Sequence, residues 1–315
     1  MAEDDVALWT RDGAPFLQDT PAVRRGPRGA CCEAADNALF SIHMALMRVL
    51  RLLVTAASLA GTVACVPDPV QWDADARRLN AVAAPGARLA FEATAPVFVT
   101  SWTPPMPPYG GEAGPACTGS VVAVRSLGDT VYAAWWAPRP DSSVRLVVAR
   151  SEDGGYNWRL PVAADTMDRT HAGCRRDAPF INADSTNGYV QVVYFLQAKE
   201  GPGLFFTHSM ERGALFHEPV PIVYGERKSA SAVSSSGDTV VVAYTDPNAA
   251  EPQVWLALSQ TTGHIFEQRV AVSPSEAVAS QPMVAVRGRR VAVSWFETPR
   301  GGGRGVTVVR TGTLR

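Results

Sequence analysis

The sequence predicts an all-β protein, a single β-propeller of four-stranded blades whose ring is closed by an N-terminal strand. Two observations carry that prediction. A glycine-centred turn recurs at Leu127-Gly128-Asp129, Asn187-Gly188-Tyr189, Ser236-Gly237-Asp238 and Arg287-Gly288-Arg289. An apolar strand follows each turn, at residues 130–135, 189–194, 239–244 and 290–295, and ends on Trp135, Tyr194, Tyr244 or Trp295. Units of this size cannot bury both faces of a small sheet alone, so they stack around an axis. A β-sandwich also shows many short strands. The regular spacing of the turns favours the propeller. Four blades are legible, and the count is left open above four.

Composition narrows the function classes. The chain has 315 residues, with 29 Lys+Arg against 30 Asp+Glu, a net charge of −1. Such a balance gives no electrostatic case for nucleic acid or for an anionic membrane surface. Hydrophobic residues at 46% and charged residues at 19% suit a packed core.

Taken from the N-terminus, residues 1–46 lack a clear period. Met47-Arg48-Val49-Leu50-Arg51 is basic, residues 52–64 are apolar and small, and Cys65 follows. The apolar run is short for a bilayer span. This stretch resembles a bacterial lipoprotein signal, with residues 47–64 removed and Cys65 lipidated; Thr62 stands where such signals usually carry Leu. An ordinary secretory signal or a short anchor helix are the alternatives. The expected location is the cell envelope (periplasm or outer membrane), or the medium. Because signals begin at their basic segment, residues 1–46 are expected to be an over-long leader, untranslated or disordered. Residues 65–87 read as a linker and 88–315 as the propeller.

The third strands of the four repeats lie at residues 144–150, 203–207, 253–258 and 305–309. Between the third and fourth strands of the first repeat comes Ser151-Glu152-Asp153-Gly154-Gly155-Tyr156-Asn157-Trp158. Asp153 can accept backbone N–H bonds within the turn, and the glycines allow positive φ. On Ser151, Asp153, Gly155 and Trp158 this stretch resembles the Asp box of the bacterial neuraminidase (sialidase) repeat family, with Asn157 in place of Thr. Residues 209–216 and 259–266 keep the Ser, the Gly and the final aromatic but lack the Asp. In that family the box is a structural turn remote from the active site, and six blades are usual. The fourth repeat lacks an outer strand. Residues 88–100 are expected to supply it and close the ring, removing open sheet edges.

Propeller topology puts the starts of first strands and the ends of second strands on one face, and the glycine and Asp-box turns on the other. Binding is expected at the first face. The candidates there are Arg175, Arg176, Arg227 and Lys228, with Asp177, Glu226, Asp246 and Glu297; Arg139 and Asp141 follow the first exit, and His171 precedes Cys174. Arg forks suit the carboxylate of an anionic sugar. Equally, charged loop ends are the ordinary consequence of solvation. Cys117 and Cys174 fall at equivalent positions of consecutive blades, which makes a disulfide geometrically reasonable in an exported chain.

The resemblance implies a sialidase-like protein, yet the family's Phe-Arg-Ile-Pro stretch is absent and no catalytic residue can be carried over. The first reading is therefore a propeller that binds a glycan or another ligand without hydrolysing it. A divergent glycoside hydrolase using Asp177 or Glu226 is the second, and a structural or protein-binding envelope lipoprotein the third. No cofactor is expected. No metal is expected either, since histidines 43, 171, 208, 217 and 264 show no pair at ligand spacing.

Overall fold

Each expected glycine turn joins two antiparallel strands, and the glycines take the left-handed backbone that a tight turn demands, with φ of 62°, 73°, 62° and 55° at Gly128, Gly188, Gly237 and Gly288. The computed structural model describes residues 68–315, apart from 81, 84–85, 101–115, 118, 142, 166–172 and 199–200. The expected leader (1–46), signal segment (47–64), Cys65 lipidation site and His171 lie outside the described residues.

Nineteen strands and no helix occur among the described residues. Four short strands come first: β1 (Val70–Trp72), β2 (Arg77–Leu79), β3 (Arg88–Glu92) and β4 (Ala95–Val99). Blade I is β5 (Val122–Arg125), β6 (Val131–Pro138), β7 (Val144–Ser151) and β8 (Val162–Ala163). Blade II is β9 (Phe180–Ala183), β10 (Val190–Ala198), β11 (Gly201–Ser209) and β12 (Val220–Tyr224). Blade III is β13 (Ser231–Ser236), β14 (Thr239–Thr245), β15 (Val254–Ser259) and β16 (Gln268–Ala271). Blade IV is β17 (Ala277–Arg287), β18 (Arg290–Pro299) and β19 (Val306–Leu314), completed by β1. The protein is thus an all-β propeller with consecutive antiparallel strands in every blade.

The second strands read as near-continuous apolar runs because neighbouring blades cover both faces. Successive side chains alternate between those faces. Tyr132, Ala134 and Trp136 of β6 pack against Ile181, Val190, Val192 and Tyr194 of blade II. Val193, Leu204 and Phe206 of blade II meet Val233, Val240, Val242 and Tyr244 of blade III. Val241, Ala243 and Leu256 of blade III meet Val284, Val293 and Trp295 of blade IV. Trp135, on the opposite face of β6, joins a separate cluster with Ala133, Ala137, Val147 and Ala149.

An N-terminal strand closes the ring as expected, but it is not the one expected. The outer strand of blade IV is β1, with Val70 opposite Leu314 and Trp72 opposite Gly312, and β2 pairs further along β19, with Leu79 opposite Thr307. The stretch expected as linker (65–87) therefore contributes two strands. Residues 88–100, expected to close the ring, instead form the hairpin β3–β4, a two-stranded fifth sheet. The reason is side-chain chemistry. Val70 is buried in the blade III–IV core, while the charged residues around it find partners on blade IV: Asp73 pairs with Arg290 at 2.7 Å and Arg78 with Glu297 at 2.9 Å. Leu89, Phe91 and Phe98 of the hairpin pack instead on Met283, Ala285 and Ala292. Arg88 ties the hairpin to the ring, donating to the carbonyls of Ile181 (2.6 Å) and Ala123 (3.1 Å) with its guanidinium 4.5 Å from the Phe180 ring centre.

The turns after the third strands share one hydrogen bond. Ser151 Oγ accepts from Gly155 N at 2.9 Å, Ser209 Oγ from Gly213 N at 2.9 Å, and Ser259 Oγ from Gly263 N at 3.1 Å. In the first turn Ser151 Oγ also donates to Asp153 Oδ1, and Trp158 Nε1 donates to the Gly155 carbonyl, each at 2.8 Å. Asp153 accepts from the Asn157 backbone (2.8 Å) and side chain (2.6 Å), and these bonds hold its carboxyl down at about 2. Glycine turns and Ser–Gly turns sit side by side, since Gly154 N donates to Asp129 O and Thr262 N to Asp238 O, both at 2.8 Å.

Candidate functional site

The loop leading into β9 is fixed at three points. A disulfide joins Cys174 to Cys117 at the entry of blade I, with the Cα atoms 5.2 Å apart. Trp136 Nε1 donates to the Asp177 carbonyl at 2.9 Å. The Arg176 guanidinium lies 4.6 Å from the Trp136 ring centre, a cation–π contact. Thus anchored, the loop leaves Arg175 and Asp177 exposed. Across from it Lys228 Nζ meets Asp177 Oδ1 at 2.9 Å. Arg175, Arg176, Asp177, Glu226 and Lys228 line a hollow of about 220 Å³ whose remaining walls are Phe195, Leu196 and Gln197 at the exit of β10. Leu196 also borders a hollow of about 140 Å³ lined by Asp165, Phe205, Pro219, Pro221 and Tyr224. Tyr224 is half exposed, and its ring stands edge-on to Phe205 at 6.0 Å.

The remaining sequence candidates lie elsewhere in the bonding pattern. Arg227 donates Nε to Pro247 O at 3.0 Å and Nη1 to Ala250 O at 3.2 Å, with Nη2 on Ala249 O, so it holds the loop after β14. Asp246 Oδ1 accepts from Asn248 N at 2.9 Å and shapes that same loop. Glu297 is buried and receives Trp295 Nε1 at 3.0 Å and Arg78 at 2.9 Å, which makes it a link between β18 and β2. Asp141 accepts from the backbone and side chain of Ser143. Five of the eight charged residues expected at the channel mouth therefore meet around one hollow.

The larger cavity lies towards the other end of the axis. A partly open cavity of about 600 Å³ is lined by β3 and β4 together with the last residues of the inner strands, among them Arg125, Asp184, Ser235 and Arg287. Its wall is a polar network. Asn182 donates to Gln191 Oε1 (2.8 Å) and Ser235 Oγ (3.1 Å), and Asp184 Oδ2 accepts from Gly237 N (2.9 Å). The bonds to Ser235 and Gly237 cross from blade II to blade III, and the network satisfies buried groups that would otherwise be costly. The hairpin that roofs this cavity was expected at the outer edge of the ring, so the cavity had no counterpart in the sequence reading. Likewise Phe195, Leu196 and Gln197 stand at the blade II exit, equivalent to the exits that carry Asp246 and Glu297 in blades III and IV, directly after the aromatic Tyr194.

Three histidines that show no ligand spacing in the sequence come together in the fold. His208, His217 and His264, from blades II and III, place one potential ligand atom each within 4.8 Å of one another. Burial, with the neighbouring imidazoles, lowers the His208 pKa to about 4, so the ring is neutral in ordinary conditions. Sequence spacing cannot show this group, because two blades meet to form it.

No family model matches the chain, and no curated protein matches it. Solved structures with similar folds include a protein of unknown function from Dyadobacter fermentans, 14% identical, with 71% of this chain and 67% of that chain covered and a TM-score of 0.46. A glycosyl hydrolase from Bacteroides ovatus is 12% identical over 60% of this chain and 63% of its own, with a TM-score of 0.36. A family PL25 polysaccharide lyase, an ulvan lyase, is 11% identical over 64% of this chain and 57% of its own, with a TM-score of 0.41. The architecture itself rests on the sheet topology described above.

Proposed function

We propose that this protein is an exported, lipid-anchored propeller of the sialidase-repeat type that binds an anionic glycan at the blade II–III entry and does not hydrolyse it. One observation carries the reading: Arg175, Arg176 and Lys228 converge with Asp177 and Glu226 on one hollow, and Leu196 in its wall also borders a second hollow lined by the Tyr224 and Phe205 rings. Cations beside an aromatic shelf suit a carboxylate-bearing sugar, whose charge meets the guanidinium fork while an apolar ring face lies on tyrosine. The disulfide and the cation–π contact hold the cationic loop in place before a ligand arrives, which lowers the ordering cost of binding.

Two features favour binding over hydrolysis. Asp177 is exposed and faces an ammonium, whereas a general-acid carboxyl sits against apolar walls that keep it protonated. Asp177 is shared with Lys228, and among the described residues no second carboxylate pair flanks an enclosed cleft at this face. Export is supported by the Met47–Cys65 pattern and by the disulfide, which belongs to an oxidising compartment.

The test is a binding measurement on the purified protein with uronate- and sialate-bearing oligosaccharides, alongside fluorogenic aryl glycosides. Binding without turnover is expected, weakened roughly tenfold or more in Arg175→Glu, the scale of a lost charge-assisted bond. Unchanged binding in Arg175→Glu, or affinity for neutral glycans alone, overturns the reading. Turnover that disappears in Asp177→Asn replaces it with a hydrolase.

A further inference from the structure

We infer that His208, His217 and His264 form a binding site for a divalent transition-metal ion of the zinc class, clamping blade II to blade III. This inference is independent of the proposed glycan site, which lies at the opposite end of the blades. Its origin is in the turn geometry. His208 is the residue before Ser209, and His217 the residue after Phe216, so the hairpin turn brings them face to face. The His217 backbone N–H donates to His208 O at 2.9 Å, and the two imidazoles stack at 4.5 Å with planes 9° apart. His264 follows Gly263 in the equivalent turn of blade III, and its ring stands edge-on to His208 at 4.6 Å and to His217 at 5.2 Å.

The decisive observation is His208. It is only 1% exposed, yet neither its Nδ1 nor its Nε2 has a hydrogen-bond partner. Buried imidazole nitrogens are ordinarily paired, and leaving both without partners is a costly arrangement. A metal ion supplies a partner for one of the two nitrogens. His264 is oriented for the same task. Its Nδ1 lies 2.8 Å from the Thr261 carbonyl oxygen and 2.9 Å from Thr262 Oγ1, which itself donates to that carbonyl, so the turn engages Nδ1 and leaves Nε2 as the nitrogen for an ion. A ring nitrogen bonded to a backbone carbonyl is the usual way a protein fixes the tautomer of a metal-binding histidine.

Ligand chemistry selects the ion. Three imidazoles and no carboxylate suit zinc, copper, nickel or cobalt and do not suit calcium or magnesium, which require oxygen. In a tetrahedral zinc site the nitrogens stand about 3.4 Å apart at bond lengths of about 2.0–2.1 Å. The present separations, up to 4.8 Å, close to that value through small rotations of rings borne on two turns. The histidines run from buried (His208) through partly buried (His217) to exposed (His264), which gives the ion an entry path and leaves its fourth position to water.

The test uses the full chain, stripped with chelator and titrated with zinc chloride and with cobalt chloride. One equivalent of zinc is expected, with cobalt giving the visible bands of a tetrahedral, nitrogen-ligated ion. Zinc at a hundredfold excess over its dissociation constant is expected to raise the unfolding midpoint by on the order of 5 °C. His217→Ala and His264→Ala, at partly buried and exposed positions, keep the fold by circular dichroism. Each is expected to weaken zinc by about 100-fold or more, beyond what loss of a supporting residue does, and to abolish the midpoint shift. Absence of zinc and cobalt uptake by the folded chain overturns the inference. So does uptake that survives unchanged in the His217→Ala/His264→Ala double variant, since the ion would then reside elsewhere.

Discussion

Gly263→Ala is expected to destabilise the protein far more than the same change at Gly237, although both are turn glycines with positive φ. Two terms separate them. Gly263 has φ +96° and Gly237 has φ +62°, so an alanine is strained at either position by about 1–2 kcal/mol. A Cβ at Gly237 meets nothing within 4 Å. At Gly263 it lands 2.2 Å from Phe206 Cε1 and 2.5 Å from Cζ. Carbon atoms in contact sit about 3.5–4.0 Å apart, so the ring must retreat by more than 1 Å. Phe206 is fully buried, wedged between Phe266 at 5.1 Å and His208 at 5.7 Å, in an interior packed like an organic crystal. Overpacking of this kind adds about 1–3 kcal/mol. The totals are about 2–5 kcal/mol at Gly263 against about 1–2 at Gly237. Urea unfolding followed by tryptophan fluorescence measures both, and Gly263→Ala should lower the thermal midpoint by roughly 5–15 °C. Equal losses at the two positions would refute the argument. So would strict additivity with Phe206→Leu, because a smaller side chain at 206 must relieve the clash and couple the two changes.

Three further outcomes follow from the same structure. Replacing Cys117 and Cys174 by serine opens a loop with a sequence separation of 57 residues and should cost about 4 kcal/mol in the loop-entropy picture, read as a lower urea midpoint that reductant no longer affects. Arg88→Met leaves the carbonyls of Ile181 and Ala123 without their donor and should cost about 2 kcal/mol or more, with faster amide exchange across β3 and β4 as its local signature. Asp153, whose folded pKa of about 2 lies below its ordinary 3.8, contributes stability above pH 3.8 that is lost as pH falls towards 2. The stability gap between the wild type and Asp153→Asn should therefore narrow over that interval, and a gap that stays constant contradicts the hydrogen-bond account of the turn.

The propeller was legible because local rules and tertiary demand coincide. A glycine turn, an apolar strand covered on both faces, and a serine–glycine turn are each written within about a dozen residues, and each repeats. Even the turn glycines have a local signature with a tertiary cause: Gly213 and Gly263 are where an aromatic of the preceding blade, Tyr132 or Phe206, presses closest. The Cys117–Cys174 disulfide followed from equivalent positions in consecutive repeats.

What the sequence could not determine was which segment goes to which edge. Residues 88–100 were expected at the open edge of blade IV because they can supply the outer strand that the fourth repeat lacks. Yet that edge is taken by the segment whose Asp73 and Arg78 find partners in Arg290 and Glu297, more than two hundred residues away. Pairings of that separation leave no local pattern. The same holds for the sites. Arg227, Asp246 and Glu297 looked alike with Arg175 and Asp177 as charged loop ends, and only the fold turned three of them to structural bonds and left the others around a hollow. The three histidines stand 9 and 47 residues apart in the chain and become neighbours only because two blades stack turn against turn. Sequence by itself determined the repeating unit, whose forces act between adjacent strands; the tertiary structure decided the closure, the cavity and the histidine cluster, whose forces act between blades.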